Sequence, residues 1–231
     1  MSDRDAVSVR VWDVPTRLVH WALVALVCLS AITGEFDSVL GASTLEWHKR
    51  SGLAILALLV FRLVWGFAGG THARFARFVR GPRAVIAYAK ALLARGEGVE
   101  PAGHNPLGGW SVVAMLAAIA VQAGTGLFLV QEDYAFEAPL ARFVPRAVSN
   151  ALGALHEANA LVIGTLVALH LAAIVYYTVA KRQDLVGAMI SGRKRLARGR
   201  EGEASRGGGV LAATAAAIIA AAAVWALLAL A

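Results

Sequence analysis

Five long apolar runs dominate this chain, at roughly 18–36, 51–70, 108–130, 152–180 and 209–231. Each is close to the ~20 residues that carry a helix across a bilayer. In lipid a lone strand would leave its backbone polar groups unsatisfied, so all five runs are expected to be helices and the fold all-α and membrane-integral. The fourth run is longer than a crossing needs, so its ends should project into the interface. The fifth is mostly alanine with one Trp225 and is only moderately hydrophobic. The composition agrees: 58% of the 231 residues are hydrophobic and 16% charged, against about a quarter charged in soluble proteins. Mean hydropathy is +0.64. That apolar content excludes a disordered chain. A single cysteine, Cys28, excludes a disulfide scaffold and a c-type haem attachment, both of which need at least two. Cys28 itself is expected to be a small apolar filler. The first run is too long for a cleaved signal peptide, and no small-x-small site precedes the polar turn at Glu35.

The net charge of +7 could suggest nucleic acid. In so hydrophobic a chain, cationic loops beside a membrane are the better explanation, and no nucleic-acid partner is expected. Seventeen of the 22 basic residues fall in the N-terminus (Arg4, Arg10, Arg17), the 71–106 connection and the 181–208 connection. Only Lys49, Arg50, Arg142 and Arg146 fall on the other side, with Glu35, Asp37, Glu46, Glu132, Asp133 and Glu137. The positive-inside rule then places the N-terminus in the cytoplasm and the C-terminus in the periplasm of a bacterial inner membrane. Within the 71–106 connection, Pro82 opens an expected interfacial helix over Ala84–Ala94. Asn105 and Pro106 serve as N-cap and first residue of the third span. The stretch 191–208 is expected to be a flexible basic linker, separating residues 1–190 from the last helix at 209–231. Trp12, Trp47 and Trp110 suit interfacial anchoring.

Ionisable groups inside spans are costly and point to function. Four of the six histidines belong to spans: His20, His48, His156 and His170. His156 and His170 are 14 residues apart, which is about 21 Å along a helix and only ~40° short of four full turns. They share one face, one near each membrane surface. The run directions put His20 level with His170 and His48 level with His156. Two cross-helix pairs at two depths suit two metal centres, and in an apolar bundle haem b is the natural one, with two axial nitrogens on its iron. Structural histidines and a proton or ion pathway are the alternatives. Gly52 and Gly164 lie one and two turns from their histidines, where a macrocycle could approach the backbone. Arg62, 14 residues after His48 on the same face, could meet a haem propionate or could snorkel to the surface. Arg17, one turn before His20, is a second candidate for a propionate. His72 and His104 sit in the 71–106 connection, with solvated loop residues as the default and a quinone or propionate contact as the alternative.

The run Val11-Trp12-Asp13-Val14-Pro15-Thr16-Arg17-Leu18-Val19-His20-Trp21 resembles the signature of the bacterial and nickel-hydrogenase-type cytochrome b561 family. His48-Lys49-Arg50-Ser51-Gly52 and Phe61-Arg62-Leu63-Val64-Trp65-Gly66 are similar to that family's second helix. The turn His104-Asn105-Pro106-Leu107-Gly108 and the His156/His170 helix also fit, and the resemblance covers roughly residues 8–190. It implies a four-helix bundle with two b haems, His20 and His170 ligating one, His48 and His156 the other. The alanine-rich fifth helix departs from the plain four-helix pattern. The expected activity is transmembrane electron transfer between the quinone pool and a periplasmic c-type cytochrome or a dehydrogenase or hydrogenase subunit. Rivals are a stand-alone quinone-linked oxidoreductase resembling the family's superoxide-oxidising branch, and a non-redox proton or ion transporter. A homodimer is compatible with all three. No nucleophile triad, P-loop or dinucleotide fingerprint occurs, so no side chain is expected to be catalytic and any catalysis would belong to the haems.

Overall fold

The computed structural model describes residues 6–36, 38–94, 101–131 and 136–231. Five helices in it are long and apolar enough to cross a membrane. They are α1 (Val14–Glu35), α2 (Thr44–Ala68), α5 (Pro106–Gly126), α6 (Arg146–Val179) and α8 (Val210–Ala229), with two short helices α3 (Phe75–Phe78) and α4 (Pro82–Leu93) between α2 and α5. A further short helix, α7 (Leu185–Ser191), follows α6. Among the described residues there are four short strands: β1 (Ala6–Arg10), β2 (Val130–Gln131), β3 (Phe136–Glu137) and β4 (Arg193–Ala197). The five expected spans are all present, and α6 runs 34 residues, longer than expected because it begins directly after Pro145. Arg4, Asp37, Arg95, Glu132 and Asp133, used in the charge argument, lie outside the described residues.

The helix starts follow the sequence chemistry. Asp13 caps α1, its Oδ1 accepting from Thr16 N at 2.8 Å, with Pro15 in the first turn. Pro82 stands at the head of α4. Asn105 Oδ1 accepts from Gly108 N at 2.6 Å at the head of α5, as expected of an Asn-Pro pair. Asp184 caps α7, and Gly192, at φ 79°, closes it in the left-handed conformation glycine adopts at least cost.

The contacts fall into two compact units, Met1–Leu18 with Leu63–Ala114 and Val167–Thr214, and Val19–Arg62 with Met115–Leu166 and Ala215–Ala231. In the first, β1 and β4 pair antiparallel, from Ala6↔Ala197 to Arg10↔Arg193. Val9, Val11, Trp12, Ala102, Ala188 and Leu196 form its apolar core. The segment expected to be a flexible linker is therefore folded. Beyond β4, Ser205 N donates to Arg10 O, and Thr71 and residue 206 exchange backbone and hydroxyl hydrogen bonds of 2.9–3.0 Å. Asp13 ties this unit together, accepting also from Trp65 Nε1 at 3.1 Å and Gly70 N at 3.1 Å. Only glycine fits at 70, where a Cβ would lie 2.5 Å from Asp13 Oδ2.

In the second unit Ile55, Leu59 and Ile119 are the buried centre, packed by Leu23, Leu26, Val27, Leu116, Ala123 and Ile163. One polar clamp crosses it: Asn159 Nδ2 donates to Ala118 O at 2.8 Å and to Gln122 Oε1 at 2.7 Å. A satisfied amide of this kind fixes the register of two apolar helices that would otherwise slide. Ala216 and Ala220, one turn apart on α8, are buried, whereas Ile218 and Trp225 are exposed. Small residues thus let α8 pack closely on one side while its larger ones face outward.

Candidate functional site

His48, on the first turns of α2, and His156, on α6, come together in the second unit. Their ring centroids are 6.2 Å apart with planes at 69°. Each ring is held by its Nδ1. Ser30 O accepts from His48 Nδ1 at 2.9 Å, with the Thr33 hydroxyl at 3.4 Å. His156 Nδ1 meets Thr125 Oγ1 at 3.1 Å, and that hydroxyl is itself donated to Val121 O at 2.8 Å. A carbonyl can only accept, and the Thr125 proton is already committed, so both Nδ1 atoms carry the hydrogen. Both Nε2 atoms are then left with a lone pair, the tautomer a metal-ligating histidine takes when its other nitrogen is anchored. Two metal–nitrogen bonds of about 2 Å, plus the reach from each nitrogen to its ring centre, come to about 6 Å. That is the spacing the two rings would have if both held one haem iron.

Two glycines that sequence reasoning missed complete this arrangement. A Cβ on Gly34 would lie 2.9 Å from His48 Cε1, and one on Gly126 would lie 3.2 Å from His156 Cε1. The signal was present in the chain: Thr33-Gly34 ends α1 and Thr125-Gly126 ends α5, the same dipeptide at corresponding ends of two spans. In each, the threonine reaches one imidazole nitrogen and the glycine leaves room for the ring.

The other expected residues are placed as follows. At Gly52 and Gly164 an added Cβ meets nothing within 4 Å, so protein packing does not require glycine at either position. Arg62 is 6% exposed, which speaks against a guanidinium snorkelling into water. Arg17 donates through one terminal nitrogen to Ile190 O on the last turn of α7, a carbonyl that a cation at a helix C-terminus favours. His20 is half-buried on α1 and packs edge-to-face on Trp21 at 5.0 Å. His170 is half-buried on α6. His20 belongs to the second unit and His170 to the first.

Three expectations are corrected. His72 and His104 are not solvated loop residues. His72 Nε2 donates to Glu203 O at 2.8 Å, and the His104 ring packs against Trp12 at 4.8 Å and Phe78 at 4.6 Å. Trp12 is core rather than an interfacial anchor, because β1 and β4 form a small sheet that buries it. Trp47 and Trp110 are about half exposed, and Trp110 Nε1 donates to Arg80 O at 2.8 Å. Cys28 is exposed on α1 rather than filling the interior.

With the histidine pair and the helices in place, the comparisons with known proteins agree on one direction. The profile of the prokaryotic cytochrome b561 family matches residues 11–192. A curated relative from Rhizobium leguminosarum bv. viciae, named a probable Ni/Fe-hydrogenase B-type cytochrome subunit, is 26% identical over 221 residues, spanning 84% of this chain and 91% of that protein.

Proposed function

Because this chain belongs to the prokaryotic cytochrome b561 family, a family of multi-pass membrane proteins that transfer electrons through haem b, we propose a specific version of that activity for it. The protein holds two b haems, each between two histidines, and moves electrons between the quinone pool and a redox partner on the periplasmic face. The observation that carries this reading is the His48–His156 pair, 6.2 Å between ring centres, with both Nδ1 atoms anchored. Haem b, when bound, supplies reversible one-electron chemistry at its iron. This chain's own residues do the positioning. His48 and His156 would offer Nε2, Ser30 and Thr125 fix their tautomers, and Gly34 and Gly126 leave room for their rings. Gly52 and Gly164 would lie against the macrocycle, and buried Arg62 would face a propionate, as Arg17 would for the second group.

The second pair, His20 and His170, rests on spacing and span direction in the sequence together with the family resemblance. The orientation, with the N-terminus cytoplasmic and the C-terminus periplasmic in the inner membrane, rests on the charge asymmetry. The partner class follows the name of the Rhizobium relative: a hydrogenase or another dehydrogenase, with a c-type cytochrome as the other choice. Residues 1–190 form the haem-carrying part and α8 an addition to it.

A second reading, a stand-alone quinone-linked oxidoreductase, is favoured by a cleft of about 390 Å³ beside His156. Gln131, Ser149, Asn150 and Glu157 line it, and it would admit a small polar substrate. Deleting the genes for candidate partners separates the two: a docking subunit loses activity, whereas a stand-alone enzyme still turns over quinol. The haem assignment itself is tested by an absorption spectrum of the purified protein. Reduction should give a sharp alpha band, and His156→Ala should remove about half the haem. A colourless preparation, as a proton or ion transporter would give, refutes it.

A further inference from the structure

The first unit contains a cleft of about 450 Å³ that the electron-transfer reading does not use. Three short segments line it: Thr71–Arg80, Pro101–His104 and Gly202–Arg206. Its charged side chains are Arg77, Arg80, Arg206 and Glu203, with His72 and His104 beside them. Phe78 and Ala102, both buried, give it apolar lining.

The cleft is built rather than incidental. Thr71 N donates to Arg206 O at 2.9 Å, and Arg206 N donates back to the Thr71 hydroxyl at 3.0 Å, so residue 206 is held against the segment carrying Arg77 and Arg80. His72 is pinned by Glu203 O, and Gly103 is the residue that allows this, since a Cβ there would lie 2.8 Å from His72 Nδ1. The acidic side chain does not offset the arginines. Arg200 grips Glu203 with two nitrogens, at 2.5 and 2.8 Å, and that guanidinium holds its carboxyl below the usual carboxylate range. Among the described residues the guanidinium groups of Arg77, Arg80 and Arg206 form no ion pair and no hydrogen bond with protein. Three like charges from two distant segments thus face one concave, partly apolar space, where their repulsion is less screened than on an open surface.

We propose that this cleft binds a phosphate group. Three guanidiniums on two segments match an anion that presents oxygens in several directions; a carboxylate offers one planar edge, enough for a single fork. The phosphate can come from the headgroup of an anionic phospholipid in the adjoining leaflet or from a soluble phosphate. His72 and His104 line the same wall and bring no acidic group to it.

The test uses the full-length protein in nanodiscs. In one arm, discs of phosphatidylcholine are titrated with inorganic phosphate by calorimetry. In the other, discs doped with phosphatidylglycerol are released in detergent, and retained anionic lipid is counted by native mass spectrometry. Wild-type protein should bind in at least one arm, which names the source. Arg77→Gln/Arg206→Gln should weaken that binding by about tenfold or more for each guanidinium lost. Arg83→Gln, an exposed charge on α4 outside the cleft, should leave it unchanged. Binding in neither arm overturns the proposal, as does equal weakening by Arg83→Gln, which would mean diffuse attraction to a basic surface. The contacts holding residue 206 are those of its backbone, so glutamine preserves them. If the double variant still fails to fold, Arg77→Gln alone, at an exposed side chain, decides between the same outcomes.

Discussion

Replacing Gly34 by alanine tests the histidine pair through a residue that never touches the iron. The new Cβ would sit 2.9 Å from His48 Cε1 and 3.2 Å from His48 Nδ1. Carbon atoms at optimal separation are ~3.5–4.0 Å apart, so ring or helix must give way by ~0.6 Å or more. The ring is also tied to Ser30 O at 2.9 Å, so it cannot retreat without loosening the bond that fixes its tautomer. Overpacking of this kind costs about 1–3 kcal/mol. Placed on ligand geometry, that weakens haem affinity at this site by about 5- to 150-fold. The sign is informative, because alanine in place of glycine favours a helix by about 1 kcal/mol. A purely local backbone effect would therefore stabilise the variant, and loss of haem must come from the displaced imidazole. The assay is haem stoichiometry per chain by pyridine haemochrome, with the reduced spectrum and melting temperature measured on the same preparation. Gly34→Ala should lower occupancy of one site, and Gly126→Ala, with its 3.2 Å contact, should do so more mildly. Gly153→Ala, whose Cβ would meet only Leu129 at 3.8 Å, should do neither. Full occupancy with an unaltered spectrum in Gly34→Ala would refute the assignment of His48 as an anchored ligand.

Three other outcomes follow from the first unit. Leu196→Ala should cost about 2–5 kcal/mol in thermal or denaturant unfolding, because Leu196 is 2% exposed in the core between β1 and β4; a flexible linker would show no change. Asp13→Ala should cost about 2–4 kcal/mol, since it removes the α1 cap and leaves the Gly70 N–H without its carboxylate. Equal melting temperatures for variant and parent would contradict that. The Arg200–Glu203 pair is solvent-facing, so a double-mutant cycle at neutral pH should give at most about 1 kcal/mol of coupling. Its sign with pH is fixed: the folded-state carboxyl titrates below its unfolded value, so the coupling is present above the ordinary carboxylate range and is lost as pH falls through the lowered one. A coupling that grows on acidification would contradict it.

The spans are legible in the sequence because a span is a local property. Length and apolarity decide it residue by residue, and lipid removes every competitor but the helix. The starts at Pro82 and Asn105 are equally local, since a helix start is decided within one turn. The fold of 191–208 is not legible there for the opposite reason. Arg193–Ala197 is a short basic stretch, and its strand character comes only from β1 at the far end of the chain. The same holds for His72 and His104, whose polar setting in a loop predicts solvent until Glu203, Trp12 and Phe78 arrive from elsewhere.

By itself, then, the sequence determined the membrane class, the number of spans and the helix faces carrying His48 and His156. These follow from periodicity and transfer of apolar surface, which need no partner. Tertiary structure decided what those histidines can do. The tautomer of each is set by an acceptor on another helix, Ser30 for one and Thr125 for the other. The space for each ring is set by Gly34 and Gly126. Hydrogen-bond direction and close approach depend on atoms brought together from separate helices, and no local pattern encodes that meeting.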